Sequence, residues 1–195
     1  MLKKRLNLIL FILFFHGLHF AHAMQSQVHL RTGLLNGSYD GIFEGEFDIS
    51  AAMDVDYEFF VSNDTTGLFR FIQGLDSDSR PFYTYAGAGM RYYWRSKGMY
   101  TEQQDVGMFI SSRPRLRFYV GGDLGVSQVI VKSFGPNVQS VANMTDIGAN
   151  IGAIRQLNDR FGLEAHLGFS YGYGLSSTPT NGNTTRVFVG ASYFF

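Results

Sequence analysis

The sequence of 195 residues contains no cysteine. A disulfide scaffold, a thiolate zinc site and a cysteine nucleophile are therefore excluded. Net charge is absent too: 16 Lys+Arg stand against 16 Asp+Glu. The chain thus lacks the basic footprint of a nucleic-acid binder. Charge of either sign is scarce, at 16% of residues. Beyond residue 23 no stretch approaches the 18 continuous apolar residues that mark a membrane-spanning helix. What the chain has instead is 23 Gly, 19 Phe and 11 Tyr. That composition suits neither a helical nor a disordered protein.

The first residues, MLKKRLNLILFILFFHGLHFAHA, read as an address. Lys3, Lys4 and Arg5 form a basic start, Leu8 to Phe15 an apolar run, and Ala21-His22-Ala23 a small-x-small cleavage site. The apolar run is too short to span a bilayer comfortably. Residues 1–23 are expected to be a secretory signal and residues 24–195 one domain. Removing three of the 16 basic residues leaves 13 against 16 acidic ones. An exported chain without membrane helices can still enter a membrane by closing a β-barrel.

The rest of the chain alternates with a period of two. From Phe161, one face carries Leu163, Ala165, Leu167, Phe169, Tyr171 and Tyr173, and the other Gly162, Glu164, His166, Gly168, Ser170 and Gly172. This is a half-buried strand. In Phe47–Phe59, the residues Phe47, Ile49, Ala51, Met53, Val55, Tyr57 and Phe59 share one face; Asp48, Ser50, Ala52, Asp54, Asp56 and Glu58 share the other. Eight strands are expected, at 27–36, 46–61, 67–75, 82–95, 115–132, 142–156, 161–175 and 184–195. Several reach the 9–11 residues that cross a bilayer at a tilt. A soluble barrel also alternates, but its outer face is charged, and Gly is depleted there. Here Gly lies on the polar face, which fits a crowded lumen. Aromatics near strand ends (Tyr57, Phe59, Tyr92, Trp94, Tyr171, Tyr173) fit the girdles of a membrane barrel.

The final residues, Tyr193-Phe194-Phe195, continue this alternation to a terminal Phe. They resemble the terminal signature of bacterial outer-membrane proteins. The whole of 27–195 resembles the small eight-stranded barrels of the OmpA transmembrane domain, OmpX and OmpW kind. The resemblance implies an all-β, antiparallel, up-and-down transmembrane barrel in the Gram-negative outer membrane. It implies periplasmic termini, outer loops near 37–45, 76–81, 133–141 and 176–184, contact with outer-membrane lipid, and reading of Tyr193 and Phe195 by the barrel-assembly machinery. Residues 96–114 depart from the pattern. Either the fifth strand starts early and projects from the bilayer, or an extra hairpin at Ser111–Pro114 makes ten strands. Pro114 favours eight, since it would interrupt a ladder inside the bilayer.

Parity then collects the inward charges. The cations are Arg31, Arg70, Arg91, Arg95, Arg115, Arg117 and Arg186; the anions are Asp48, Asp54, Asp56, Glu58, Asp123, Asp146 and Glu164. Seven face seven, and every cation is the bidentate, permanently charged Arg. Eight strands enclose only room for side chains. A salt-bridged plug is expected, rather than a porin channel; an ion path lined by these charges is the alternative. His166 joins the network as a lumen hydrogen-bonding residue, and His29 is a second inward His.

Chemistry motifs are sparse. Glu164, His166 and Ser170 share a strand face, but His166 and Ser170 lie about 13 Å apart at about 3.3 Å per residue, too far for a triad. Asp54-Val55-Asp56 lacks the Gly and closing Glu of a calcium loop. No cofactor, metal or nucleic-acid partner is expected. A structural or surface-interaction role is expected; a small-solute channel and a lipid-modifying enzyme are the competing readings.

Overall fold

The computed structural model describes residues 26–40, 45–75, 81–94, 100–104, 108–112, 115–132, 139–174 and 181–195. The expected signal segment with Ala21 and Ala23 lies outside these residues, as does Arg95. Ten strands are formed: β1 (Ser26–Asp40), β2 (Gly45–Phe60), β3 (Thr65–Leu75), β4 (Pro81–Trp94), β5 (Tyr100–Gln104), β6 (Met108–Ser112), β7 (Leu116–Lys132), β8 (Gln139–Gln156), β9 (Phe161–Gly174) and β10 (Asn181–Phe194).

Eight of them close a barrel in the order β1-β10-β9-β8-β7-β4-β3-β2. Every neighbouring pair is antiparallel, and β1 pairs with both β2 and β10, so this sheet has no free edge. Closure removes the unpaired backbone groups that lipid cannot satisfy. The extra strands resolve the anomaly of residues 96–114 in a third way. β5 and β6 pair only with each other, as a two-stranded sheet beside the eight-stranded barrel. β4 passes directly to β7, with Trp94 opposite Phe118. The fifth barrel strand therefore does not begin early, and the extra hairpin neither widens the barrel nor turns at Ser111–Pro114. Its strands are joined through 105–107.

The packing is inside out relative to a soluble domain. Outward residues are large and apolar: Phe69 is 59% exposed, Leu124 61%, Ile147 62% and Val189 59%. On β7 the outward side runs from Leu116 to Val126 with no polar side chain, and Gln128 follows. That is about 33 Å of strand at about 3.3 Å per residue, or about 23 Å of depth at a tilt of about 45°. A membrane barrel carries an apolar band about 25 Å tall.

The interior has three layers. Toward the termini lie Phe60, Tyr93, Tyr119 and Ile154. Toward the opposite end lies an apolar cap including Leu35, Phe47, Ile49, Ile72, Val129 and Met144. Charged residues fill the space between. The inner face is thus not polar throughout, as its Gly and charges had suggested.

The cap owes two members to a β-bulge. Gly33 stands opposite Ala52, but Leu35 stands opposite Ile49. Two steps along β1 match three along β2, and one extra residue reverses the parity of a strand. Below the bulge Asp54, Asp56 and Glu58 point inward; above it Phe47 and Ile49 are buried and Asp48 is exposed. This corrects the assignment of Phe47 and Ile49 to the lipid face and of Asp48 to the lumen. Arg115 also leaves the lumen set. It precedes β7, in the turn, and is exposed; its backbone carbonyl accepts from the Gln156 amide.

Candidate functional site

The middle layer is the densest concentration of chemistry in the molecule. Arg117 of β7 is buried nearer the termini, beside Tyr93 and Phe194, whereas Arg31 of β1, Arg70 of β3, Arg91 of β4 and Arg186 of β10 are buried in the middle layer. So are Asp54, Asp56 and Glu58 of β2, Asp123 of β7, Asp146 of β8 and Glu164 of β9. Each strand contributes by the same rule: alternate residues point inward, and these are the polar ones.

Asp56 is the hub. Its Oδ1 accepts from Arg70 Nε at 2.8 Å, and its Oδ2 accepts from Arg70 Nη2 at 3.0 Å and from Arg31 and Arg91. Three guanidinium groups thus converge on one carboxylate. Arg70 reaches across to Asp123 at 2.9 Å, and Arg91 to Glu58 at 2.6 Å. Arg31 donates to Glu164 at 2.7 Å and lies 3.0 Å from Asp54. Charge-assisted pairs of this kind are the strong ones, and breaking a buried pair from one side is strongly destabilising.

Among the described residues the lumen holds five Arg against six carboxylates, because Asp48 and Arg115 stand elsewhere and Arg95 lies outside those residues. His29 joins this network. Its Nε2 lies 2.7 Å from Glu58 Oε2, and its Nδ1 lies 2.5 Å from Glu164 Oε2. A neutral imidazole has one donor, so donating to two carboxylates takes the doubly protonated ring. His29 thereby ties β1 to β2 on one side and, past β10, to β9 on the other. Its charge was invisible to a count of Arg and Lys.

Tyrosines complete the network. Tyr93 donates to Glu58 at 2.7 Å, Tyr119 to Glu164 at 2.6 Å, and Tyr85 to Asp123 at 2.6 Å. Thr66 also donates to Glu58, and Asn150 to Asp123 at 3.0 Å. Arg117 lies over the Phe194 and Tyr93 rings, at 4.7 and 5.2 Å from their centroids, and donates to Gln27 at 3.2 Å. The charge pattern passes over these tyrosines. Shared parity with Arg91 (Tyr85, Tyr93) and with Arg117 (Tyr119) is the signal that finds them.

The arrangement pairs charges rather than activating a nucleophile. His166 Nδ1 lies 2.7 Å from the Tyr119 hydroxyl, while Ser170 Oγ has no hydrogen-bond partner. No group of three or more His, Asp or Glu suited to hold a metal ion occurs among the described residues. The last strand ends on outward aromatics: Tyr193 packs edge-on against Phe161 at 5.0 Å and against Phe195 at 5.1 Å.

No protein-family model matches this chain, and no curated protein matches it. Solved structures do. Neisserial surface protein A superposes with a TM-score of 0.56 at 11% identity, covering 88% of this chain and 97% of that one. The N-terminal β-barrel domain of OprF from Pseudomonas aeruginosa covers 88% and 99%, at 13% identity and a TM-score of 0.48. The attachment invasion locus protein Ail of Yersinia pestis, in complex with the heparin analogue sucrose octasulfate, covers 87% and 99%, at 13% and 0.48. The neisserial likeness is one of fold. The chain has the closed, eight-stranded antiparallel barrel of the small outer-membrane proteins.

Proposed function

We propose that the protein is an integral component of a bacterial outer membrane, with a structural and surface-interaction role and no open solute path. The observation that carries this reading is the inversion of the fold. An apolar band about 23 Å deep, by strand length and tilt, surrounds a lumen of paired charges sealed by apolar side chains at both ends. Leu35, Ile72 and Val129 in the outer cap are 0% exposed. A porin keeps its lumen wet and wide; eight strands leave side-chain room only. Outer-membrane lipid is then the outer face's main partner, and the terminal strand with Tyr193 and Phe195 is the segment for the barrel-assembly machinery to read. An export signal at residues 1–23, removed after Ala23, supplies the route.

The role of a sealed barrel lies at its rims. β7 and β8, of 17 and 18 residues, carry their hairpin past the apolar band at the end opposite the termini. Planar-bilayer recording tests the sealed lumen: purified protein is expected to give no sustained single-channel openings, and stable openings would establish the channel reading instead. Heat-modifiable gel mobility and fractionation test location; soluble periplasmic protein would overturn it. Lipid A mass in an expressing strain is expected to stay unchanged, and a shift would establish lipid modification.

A further inference from the structure

Several buried polar atoms of the lumen have no hydrogen-bond partner in the protein, and on one wall they gather around Arg186. Arg186 is fully buried on β10, yet its Nε, Nη1 and Nη2 make no hydrogen bond. Its nearest carboxylate oxygen, Asp123 Oδ1, is 3.5 Å away. Asp146 Oδ2 of β8, Ser170 Oγ and His166 Nε2 of β9 and Asn150 Oδ1 of β8 are likewise buried and unpartnered. These groups belong to adjacent strands: Arg186 stands opposite Gly168, Gly168 opposite Asn150, and Ser170 opposite Gly148.

The chemistry of the set identifies what fits it. Arg186 offers only donors, whereas Asp146 Oδ2 and Asn150 Oδ1 offer only acceptors. Tyr119 gives its proton to Glu164, so His166 Nδ1 donates to Tyr119. In the neutral ring Nε2 is then a third acceptor. Ser170 can do either. A bound anion would meet Asp146, and a bound cation would meet Arg186. A neutral molecule that both donates and accepts fits the set; water is the smallest such molecule, and buried water takes two to four partners.

Glycine makes the room. A Cβ at Gly168 would lie 3.0 Å from Arg186 Nε and 3.3 Å from His166 Nε2, at the point where one molecule would bridge the two. A Cβ at Gly148 would lie 2.8 Å from Arg186 Nη2. We infer that the β8–β10 wall is a binding site for structural water, which links Arg186 to Asp146, Ser170 and His166. The site lies below the apolar cap and so holds its water apart from bulk solvent. This inference rests on the barrel interior alone, not on the membrane location or role.

Water–protein ROE spectra of the refolded full chain test it. Direct cross-peaks from water are expected at the amide protons of Gly148, Gly168 and Ser170, and none at Leu35 or Ile72 within the cap. Gly168→Ala is expected to abolish the peaks at positions 168 and 170 and to keep the heat-modifiable fold. Should that variant fail to fold, a high-resolution crystal structure of the unaltered protein decides. Density within hydrogen-bond reach of both Arg186 and a second orphaned group supports the site. Absence of cross-peaks and density, a direct Arg186–Asp146 ion pair, or an anomalous bromide peak at Arg186 after a bromide soak would each overturn it.

Discussion

The two walls of the lumen are built from the same residue types and are satisfied in different ways. On the β1–β4 side, Arg31, Arg70 and Arg91 close directly on Asp56 and Glu58, and Arg31 also reaches Glu164 of β9. On the β7–β10 side, Arg186 reaches one carboxylate at 3.5 Å and Asp146 keeps an orphaned oxygen. Sequence position explains the contrast. β2 places Asp54, Asp56 and Glu58 at alternate positions, so one inward face presents three carboxylates in a row. β8 and β9 contribute one inward carboxylate each, Asp146 and Glu164, set among Gly148, Gly152, Gly168 and Gly172. Charge is therefore spread over the whole lumen, whereas direct pairing concentrates around Asp56.

The sharpest way to break the clamped wall is Asp56→Ala. It strands three guanidinium groups, and a loss of about 3–5 kcal/mol is expected for a buried pair broken from one side. Denaturant unfolding in a fixed lipid or detergent measures it; a loss below about 1 kcal/mol, on the scale of an exposed pair, would show that the hub does not hold the barrel. His29→Leu comes next, leaving Glu58 and Glu164 without their bridging cation. A loss of about 2–3 kcal/mol is expected, on the scale of hydrogen bonds to charged groups. Glu58→Gln combined with His29→Leu should recover part of that loss, and full additivity in the double-mutant cycle would mean that the pair does not interact.

The loose wall gives smaller effects. Arg186→Met should cost about 1 kcal/mol, clearly less than Arg70→Met in the same assay, because Met keeps the stem's packing and Arg186 makes no direct hydrogen bond. An equal or larger loss would erase the distinction between the walls. Outside the lumen, Asp48→Asn and Arg115→Gln should each stay within about 0.5 kcal/mol, as surface changes do. A large effect at either position would return that residue to the network.

Much of the fold was legible in the chain. β9 alternates without a break from Phe161 to Gly174, and its burial follows the letters one by one. β2 shows where reading by parity stops. Its residues alternate just as well, yet the bulge near Ala51 sends Asp48 out and Phe47 in. A bulge costs one residue and leaves no compositional mark, because either parity offers an acceptable pattern locally. The site was legible as an inventory of inward charges, from Arg31 to Arg186. Its wiring was not: His29 meets Glu164 across 135 residues of sequence, and Tyr119 meets His166 across 47. The small β5–β6 sheet was masked for a similar reason, since Val106, Met108 and Ile110 share the parity of Leu116 and continue its pattern across a break in the ladder.

The sequence by itself determined the inversion of the barrel, because side chains on a strand must alternate and here the apolar set is the larger and wider one. It also determined that the lumen charges would nearly cancel, since unpaired charge in a dry interior is prohibitive. Only the tertiary structure decided which carboxylate each Arg meets, that His29 bridges Glu58 and Glu164, and that hydrophobic clusters stand at both ends of the charged layer. Those outcomes depend on shear between strands and on one bulge. Both are set when the sheet closes on itself, and no local stretch of sequence contains them.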